Sequence, residues 1–135
     1  MSEDRKLWNG QKTKASLCIS LYGPRTTIQI RKDVVRVLGA PPYITFRVNP
    51  DMSSILIEGA LEKHKLSFKV PGDLYLNDNR QMRVTSKSFV TGIMAKNGLN
   101  LEDCFHVEGV YSEKNNAVVF KLTDAEKYTF SEEEN

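Results

Sequence analysis

The chain has 135 residues, of which 40% are hydrophobic and 27% are charged, and this balance is typical of a folded globular protein. A domain of this size buries roughly two-thirds of its unfolded surface, so its core requires neither metals nor disulfides. The sequence contains no apolar run of the roughly 18 residues that a membrane span needs, and its charged first residues lead into no signal-peptide core. These features predict a cytoplasmic protein with no membrane partner.

Charge is unevenly distributed along the chain. The formal net charge is +2, but residues 124–135 carry −4, which leaves +6 on residues 1–123. A basic body favours a polyanionic partner, and an acidic tail can compete with that partner or aid solubility. We therefore expect a flexible N-terminal arm at 1–14 that contains Trp8, a single domain at 15–123 and an acidic C-terminal tail at 124–135.

The first half of the domain, residues 15–61, combines two hydrophobic periodicities. A period of two predicts strands, and a period near 3.6 predicts a helix that Asp33 can cap and Gly39 can end. Gly23-Pro24 is a turn signal between the first two strands. The predicted elements are strands at 17–21, 28–30, 43–48 and 54–57, with a helix at 33–38.

The second half, residues 64–123, repeats this order. Its predicted elements are strands at 66–70, 82–84, 105–110 and 117–120, with a helix that begins near Ser86 or Ser88 and ends at Asn97-Gly98. The matched positions are Ile30 with Val84, Val34 with Phe89, Leu38 with Ile93, Gly39 with Gly98, Phe46 with Val107, and Ile55 with Val118. Their separations rise from 54 to 63 residues, so duplication and chance coincidence of element order are both open. The predicted fold class is mainly β (α+β), with two pseudo-repeated ββαββ units forming one barrel-like domain.

Two stretches carry a family resemblance. Residues 27–39 (TIQIRKDVVRVLG) resemble the strand, short helix and Leu-Gly of the AbrB/SpoVT swapped-hairpin proteins, and residues 98–107 (GLNLEDCFHV) are similar to the link before the third strand of that family. The resemblance implies binding to double-stranded DNA through paired β-elements that present arginines. Tandem copies would supply that pair within one chain. A looser likeness to small bacterial reading frames of mobile elements implies an accessory or regulatory role.

A second resemblance appears when the predicted elements are counted from the strand that begins at Thr27. The order then becomes strand, helix and three strands, followed by a second strand–helix–strands series, which resembles the sliding-clamp domain. The clamp resemblance implies a homo-oligomer around DNA or an adaptor with a protein partner.

Residues that could support catalysis are few. His64 lies in a polar connection, and His106 alternates with hydrophobic neighbours in a predicted strand, where Cys104 would share its face. Cys18 and Cys104 are predicted to be buried reduced thiols without metal-ligand spacing. Phosphate-loop, nucleophile-elbow and zinc-protease motifs do not occur in the sequence. We expect a protein without enzymatic activity, cofactor, metal or small-molecule substrate.

Basic residues gather at the two predicted strand–helix junctions, where they could contact DNA phosphates or simply solubilise the surface. The candidate nucleic-acid-binding residues are Arg25, Arg31, Lys32, Arg36, Arg80, Arg83 and Lys87. If the halves are related by symmetry, these cations form two facing clusters. The alternative function is protein binding, for which Leu74, Tyr75 and Leu76 form an apolar segment within a polar connection. That segment is either a loop anchor or a partner contact.

Overall fold

The computed structural model describes residues 17–63, 67–75 and 81–128. The strands are β1 (Cys18–Tyr22), β2 (Thr27–Arg31), β3 (Tyr43–Val48), β4 (Ser54–Ala60), β5 (Ser67–Lys69), β6 (Gln81–Thr85), β7 (Cys104–Ser112), β8 (Ala117–Lys121) and β9 (Glu126–Tyr128). The helices are α1 (Lys32–Val37) and α2 (Lys87–Lys96). Trp8, His64, Leu76 and Arg80 lie outside the described residues. β9 falls within the predicted acidic tail, so the sheet extends past the predicted domain boundary at 123.

The strands form one nearly closed, barrel-like antiparallel sheet, which confirms the mainly β prediction. Their order is β5-β3-β4-β8-β7-β1-β2-β6, and β9 pairs with β7. β7 links the two parts of the sheet because its first residues pair with β1 and β9 and its last residues pair with β8. β1 separates β2 from β7, so β1, β2, β6, β7 and β9 together form one continuous surface.

Alternation along the strands directs one set of side chains into the core. Ile28 and Ile30 of β2 and Val84 of β6 are at most 3% exposed. The short helices add their own apolar positions, among them Val35 of α1 and Ile93 of α2. Burial of each such side chain contributes about 1.5–3 kcal/mol, so the pattern of alternation fixes which face of each strand meets solvent.

Both helices end in the same way. Gly39 and Gly98 have positive φ angles of 95° and 68°, a left-handed conformation that glycine adopts without strain. The residue after each glycine donates its backbone N–H to the last helical turn: Ala40 to the Val35 carbonyl at 3.1 Å, and Leu99 to the Met94 carbonyl at 2.8 Å. Within the described ranges, neither helix is long and apolar enough to cross a membrane.

Candidate nucleic-acid interface

The β2–β6 pair has one apolar face and one polar face. Its register places Thr27 opposite Thr85, Gln29 opposite Arg83, and Arg31 opposite Gln81. Because side chains alternate with period two, all six project on the side of the sheet away from the core. Two predicted site residues, Arg31 and Arg83, therefore share one face although they lie far apart in sequence.

A groove of about 680 Å³ runs along this polar face, and we call it the basic groove. Its lining residues are polar or aromatic: Tyr22, Arg25, Thr27, Gln29, Gln81, Arg83 and Thr85. Two of them are arginines and none is a carboxylate. Arg31 borders the groove because it is the cross-strand partner of Gln81. The groove consequently presents a local excess of positive charge to solvent.

Arg25 is held at one end of the groove by a tightly packed turn. The 3₁₀ turn Gly23–Arg25 joins β1 to β2, and a Cβ on Gly23 would collide with the backbone oxygen of Leu101. The hydroxyl of Thr27 donates to the Arg25 carbonyl at 3.0 Å, and the backbone N–H of Ser86 donates to the Thr26 carbonyl at 3.1 Å. Glycine at position 23 thus allows the close backbone contact that fixes the arginine.

The floor of the groove consists of buried polar side chains. The Oγ1 atoms of Thr27 and Thr85 are 2.9 Å apart, and Thr27 is only 6% exposed. Gln29, at 8% exposure, lines the groove, and its carboxamide has no hydrogen-bond partner among the described residues. Its donors and acceptor are open to the groove, where a bound ligand could form hydrogen bonds with them.

Ion pairing separates the predicted cations into two groups. Arg36 lies 3.3 Å from the Asp33 carboxylate, and its guanidinium stacks 5.0 Å from the centre of the Tyr75 ring. The other ion pairs within residues 17–63, 67–75 and 81–128 join Arg47 to Glu58 and Lys127 to Asp103. None of these pairs involves Arg25, Arg31 or Arg83, so no described carboxylate neutralises their charges.

Lys32, Arg36 and Lys87, the other predicted cations that the structure describes, are not lining residues of the basic groove. Lys87 borders a separate shallow depression along α2 with Ser88, Thr91 and Gly92, and Lys32 begins α1. The structure therefore brings Arg25, Arg31 and Arg83 to one polar face, whereas Lys32, Arg36 and Lys87 lie elsewhere. Five lining residues were not among the predicted site residues: Tyr22, Thr27, Gln29, Gln81 and Thr85. Polar residues alternate with apolar ones in TIQIR and QMRVT, and this pattern could have identified Thr27, Gln29, Gln81 and Thr85.

The apolar segment predicted to contact a partner is partly in the core. Leu74 is 1% exposed, so its side chain anchors the connection and offers no surface to another protein. Tyr75 is partly buried, and burial raises the pKa of its hydroxyl above the ordinary value of 10.0. A distinct apolar cavity of about 340 Å³ lies near the start of α2, lined by Phe46, Met52, Phe68, Ser86, Ser88 and Phe89.

His106 lies on the same polar side of the sheet, two strands from Gln29 with Ser20 between them, and is not a lining residue of the groove. Its Nδ1 atom is 3.4 Å from the Ser20 hydroxyl, and its ring meets Tyr128 edge-on at 6.2 Å between centroids. Burial is the main cause that raises the pKa of Tyr128. Within the described part of the chain, no three His, Cys, Asp or Glu residues are grouped as metal ligands.

Comparison with known proteins adds no functional information. No family model, curated protein or solved structure matches the chain.

Proposed function

We propose that this protein is a small, non-enzymatic DNA-binding protein that holds DNA through the basic groove. Arg25, Arg31 and Arg83 contact the phosphate backbone, and the polar floor between them faces the bases. The observation that carries the proposal is the position of these three arginines on one concave polar face, without a lining carboxylate or an ion pair within the described residues. Such cations are the groups that release counterions from a nucleic acid.

An internal duplication is part of this proposal, and the strand pairing supports it. β2 pairs antiparallel with β6 and β4 pairs antiparallel with β8, so elements of the first half meet their counterparts in the second. A local two-fold axis between two copies produces such antiparallel pairs. The matched hydrogen bonds that end α1 and α2 also support it. α1 has 6 residues and α2 has 10, and this extra turn accounts for part of the drift in sequence separation.

The registers refine one of the matched positions. Phe46 faces Ile57 across β3–β4, and Gly109 faces Phe120 across β7–β8. Ile57 and Phe120 are equivalent if β4 and β8 are related by the two-fold axis, so the counterpart of Phe46 is Gly109 and not Val107. The phenylalanine of the cross-strand pair is on the first strand of one hairpin (Phe46) and on the second strand of the other (Phe120). The equivalence of Phe46 and Gly109 therefore cannot be seen in the sequence.

The element order is compatible with both family resemblances. The swapped-hairpin resemblance supports DNA contact through paired strands, and β2–β6 would be that pair. Counted from β2, the series β2-α1-β3-β4-β5 and β6-α2-β7-β8-β9 also has the order of the sliding-clamp domain. DNA binding through the basic groove depends on neither resemblance.

The test compares two double variants with equal loss of charge. Arg25→Ser with Arg83→Met removes cations of the groove, whereas Arg36→Ser with Arg47→Ser removes cations that are ion-paired. We expect the wild type and the second variant to be retained on immobilised DNA, presented as single and double strands, and to elute at moderate salt. The first variant should pass through with its melting temperature nearly unchanged. Retention of the first variant, or loss of the second, would assign DNA binding to another surface.

Protein binding is the second candidate function, and the apolar cavity near α2 favours it. The rings of Phe68 and Phe89 lie 5.2 and 5.3 Å from that of Phe46, and such aromatic pockets accept side chains of partner proteins. A stable complex that survives nuclease treatment and is lost with Phe89→Ser, while the groove variant leaves it intact, would favour this function over DNA binding.

A further inference from the structure

Gln29 distinguishes the basic groove from a surface that merely attracts phosphate. A carboxamide has two donors and an acceptor but no charge, so it adds little to the attraction of a polyanion. Here it is more than nine-tenths buried, lacks a partner among the described residues and lines the floor of the groove. Arg83, with further donors, lies directly across the strand pair from it. This arrangement suits a neutral group with its own donors and acceptors.

The depth of Gln29 decides which form of nucleic acid can reach it. In a duplex, base edges lie at the bottom of a major groove about 8.5 Å deep, so the side chains that read them must protrude. Gln29 is recessed in a concave floor, and a duplex would rest on the rims of the groove. An unpaired base can turn inward to the floor, as bases do in proteins that recognise single strands.

We infer, on the basis of the proposed function, that the basic groove takes a single-stranded nucleic acid whose adenine base pairs with the Gln29 carboxamide. Glutamine matches adenine because its oxygen accepts from the 6-amino group while its amide donates to a ring nitrogen. Arg25, Arg31 and Arg83 neutralise the flanking phosphates, and Tyr22 supplies an aromatic surface beside the base. The volume of about 680 Å³ lies within the roughly 300–1,000 Å³ of sites that hold small organic ligands.

The test uses the full chain and two labelled 12-residue DNA oligonucleotides of equal charge in fluorescence anisotropy. The thymine strand contains thymine alone, and the adenine strand has adenine at its two central positions and thymine elsewhere. We expect the adenine strand to bind about tenfold more tightly than the thymine strand and than its own duplex, in line with the discrimination that a bidentate pair provides.

The isosteric Gln29→Met variant tests whether this residue recognises the base. The variant should bind the adenine strand and the thymine strand with affinities within about twofold of each other, because it cannot form the bidentate pair. The salt dependence of its binding should match that of the wild type, since Gln29 carries no charge.

A modified oligonucleotide tests the same contact without altering the protein. Replacing both adenines of the adenine strand by purine, which lacks the 6-amino group, should lower the affinity of the wild type to that of the thymine strand. The corresponding RNA, with uracil in place of thymine, identifies whether the physiological strand is DNA or RNA, because adenine is common to both. Tighter binding of either adenine-containing strand than of its adenine-free control supports the inference.

Failures of the inference and of the proposed function are distinguishable. If the oligonucleotides bind through the groove arginines but show no adenine preference, or bind equally as duplexes, this inference is wrong and DNA binding stands. If Gln29→Met keeps the preference, another residue recognises the base and the assignment of Gln29 is wrong. If no oligonucleotide binds at low salt, both proposals are overturned.

Discussion

Arg83 lies directly opposite Gln29 in the β2–β6 pair, and Arg31 lies on the same face opposite Gln81. The two arginines are thus separated by two residue positions along the strand direction, about 7 Å. Their proximity depends wholly on the pairing of β6 with β2. The two halves of the chain each supply part of one cationic surface, and neither half could form the groove alone.

The salt dependence of DNA binding should reflect how many groove arginines contact phosphates. Each phosphate contact on a single strand contributes about −0.7 to the slope of log K against log salt concentration, so Arg25, Arg31 and Arg83 predict a slope near −2. Arg83→Met should make the slope about 0.7 less negative. Arg36→Met should leave it unchanged because Arg36 is paired with Asp33. Anisotropy titrations between about 25 and about 300 mM salt measure the slope. Equal changes in the two variants would contradict the assignment.

The acidic residues at the C-terminus should weaken binding through their charge. β9 ends at Tyr128, whose ring lies 6.3 Å from that of Tyr22, a lining residue of the groove. Replacing Glu132, Glu133 and Glu134 by Gln should raise DNA affinity a few-fold at about 25 mM salt, and the gain should shrink at about 300 mM salt because the Debye length is shorter there. Competition titrations at both salt concentrations measure the effect. An affinity equal to that of the wild type at low salt would show that these charges do not compete.

The sequence predicted most elements because local periodicity and end signals determine them. Gly39 and Gly98 end the helices as expected, and both faces of β2 follow from the alternation in TIQIR. Pairing between distant strands could not be predicted, since it depends on which faces pack together in three dimensions. The insertion of β1 between β2 and β7 and the pairing of β9 are two examples. The ion pair of Arg36 with Asp33 could have been predicted from the sequence, because residues three apart on a helix are neighbours.

Gly109 should be required for packing within the β7–β8 hairpin. A Cβ at this position would lie 2.5 to 2.9 Å from three ring atoms of Phe120, which is fully buried and cannot move aside. We expect Gly109→Ala to lower the free energy of unfolding by about 1–3 kcal/mol. Gly72→Ala, where nothing lies within 4 Å, should change it little. Urea denaturation measures both, and Phe120→Leu should partly rescue Gly109→Ala. Equal stability of the two alanine variants would contradict the packing argument.

Leu74 should contribute to stability rather than to partner binding. Its side chain is 1% exposed within the core, so Leu74→Ala removes buried methyl groups and leaves a cavity. The expected loss is about 2–5 kcal/mol in the free energy of unfolding. Leu61, at 83% exposure, provides the control, and Leu61→Ala should change stability by less than about 0.5 kcal/mol. If the two variants unfold at the same urea concentration, Leu74 is not the anchor of its segment.

The hydroxyl of Tyr75 should make the protein sensitive to alkaline pH. Its oxygen is buried without a hydrogen-bond partner among the described residues, and burial is the first cause that raises the pKa of Tyr75. Because the pKa of Tyr75 is higher in the folded state, its protonated hydroxyl contributes to folding stability. This contribution is complete below the ordinary pKa of 10.0 and is lost as pH rises through the pKa of the folded state. Stability should therefore fall above pH 10.

Tyr75→Phe separates this effect from other alkaline titrations. The variant should be as stable as the wild type at pH 7 or up to about 1 kcal/mol more stable, because it removes a buried hydroxyl without a partner. It should also lose less stability above pH 10. Tyr111→Phe is the matched control, since the Tyr111 hydroxyl donates to Asn116 Oδ1 at 2.6 Å and its removal should not stabilise. Urea denaturation at pH 7 and at pH values above 10 measures both variants. An alkaline loss in Tyr75→Phe as large as in the wild type would assign the titration to other groups, such as Tyr128, whose pKa burial also raises.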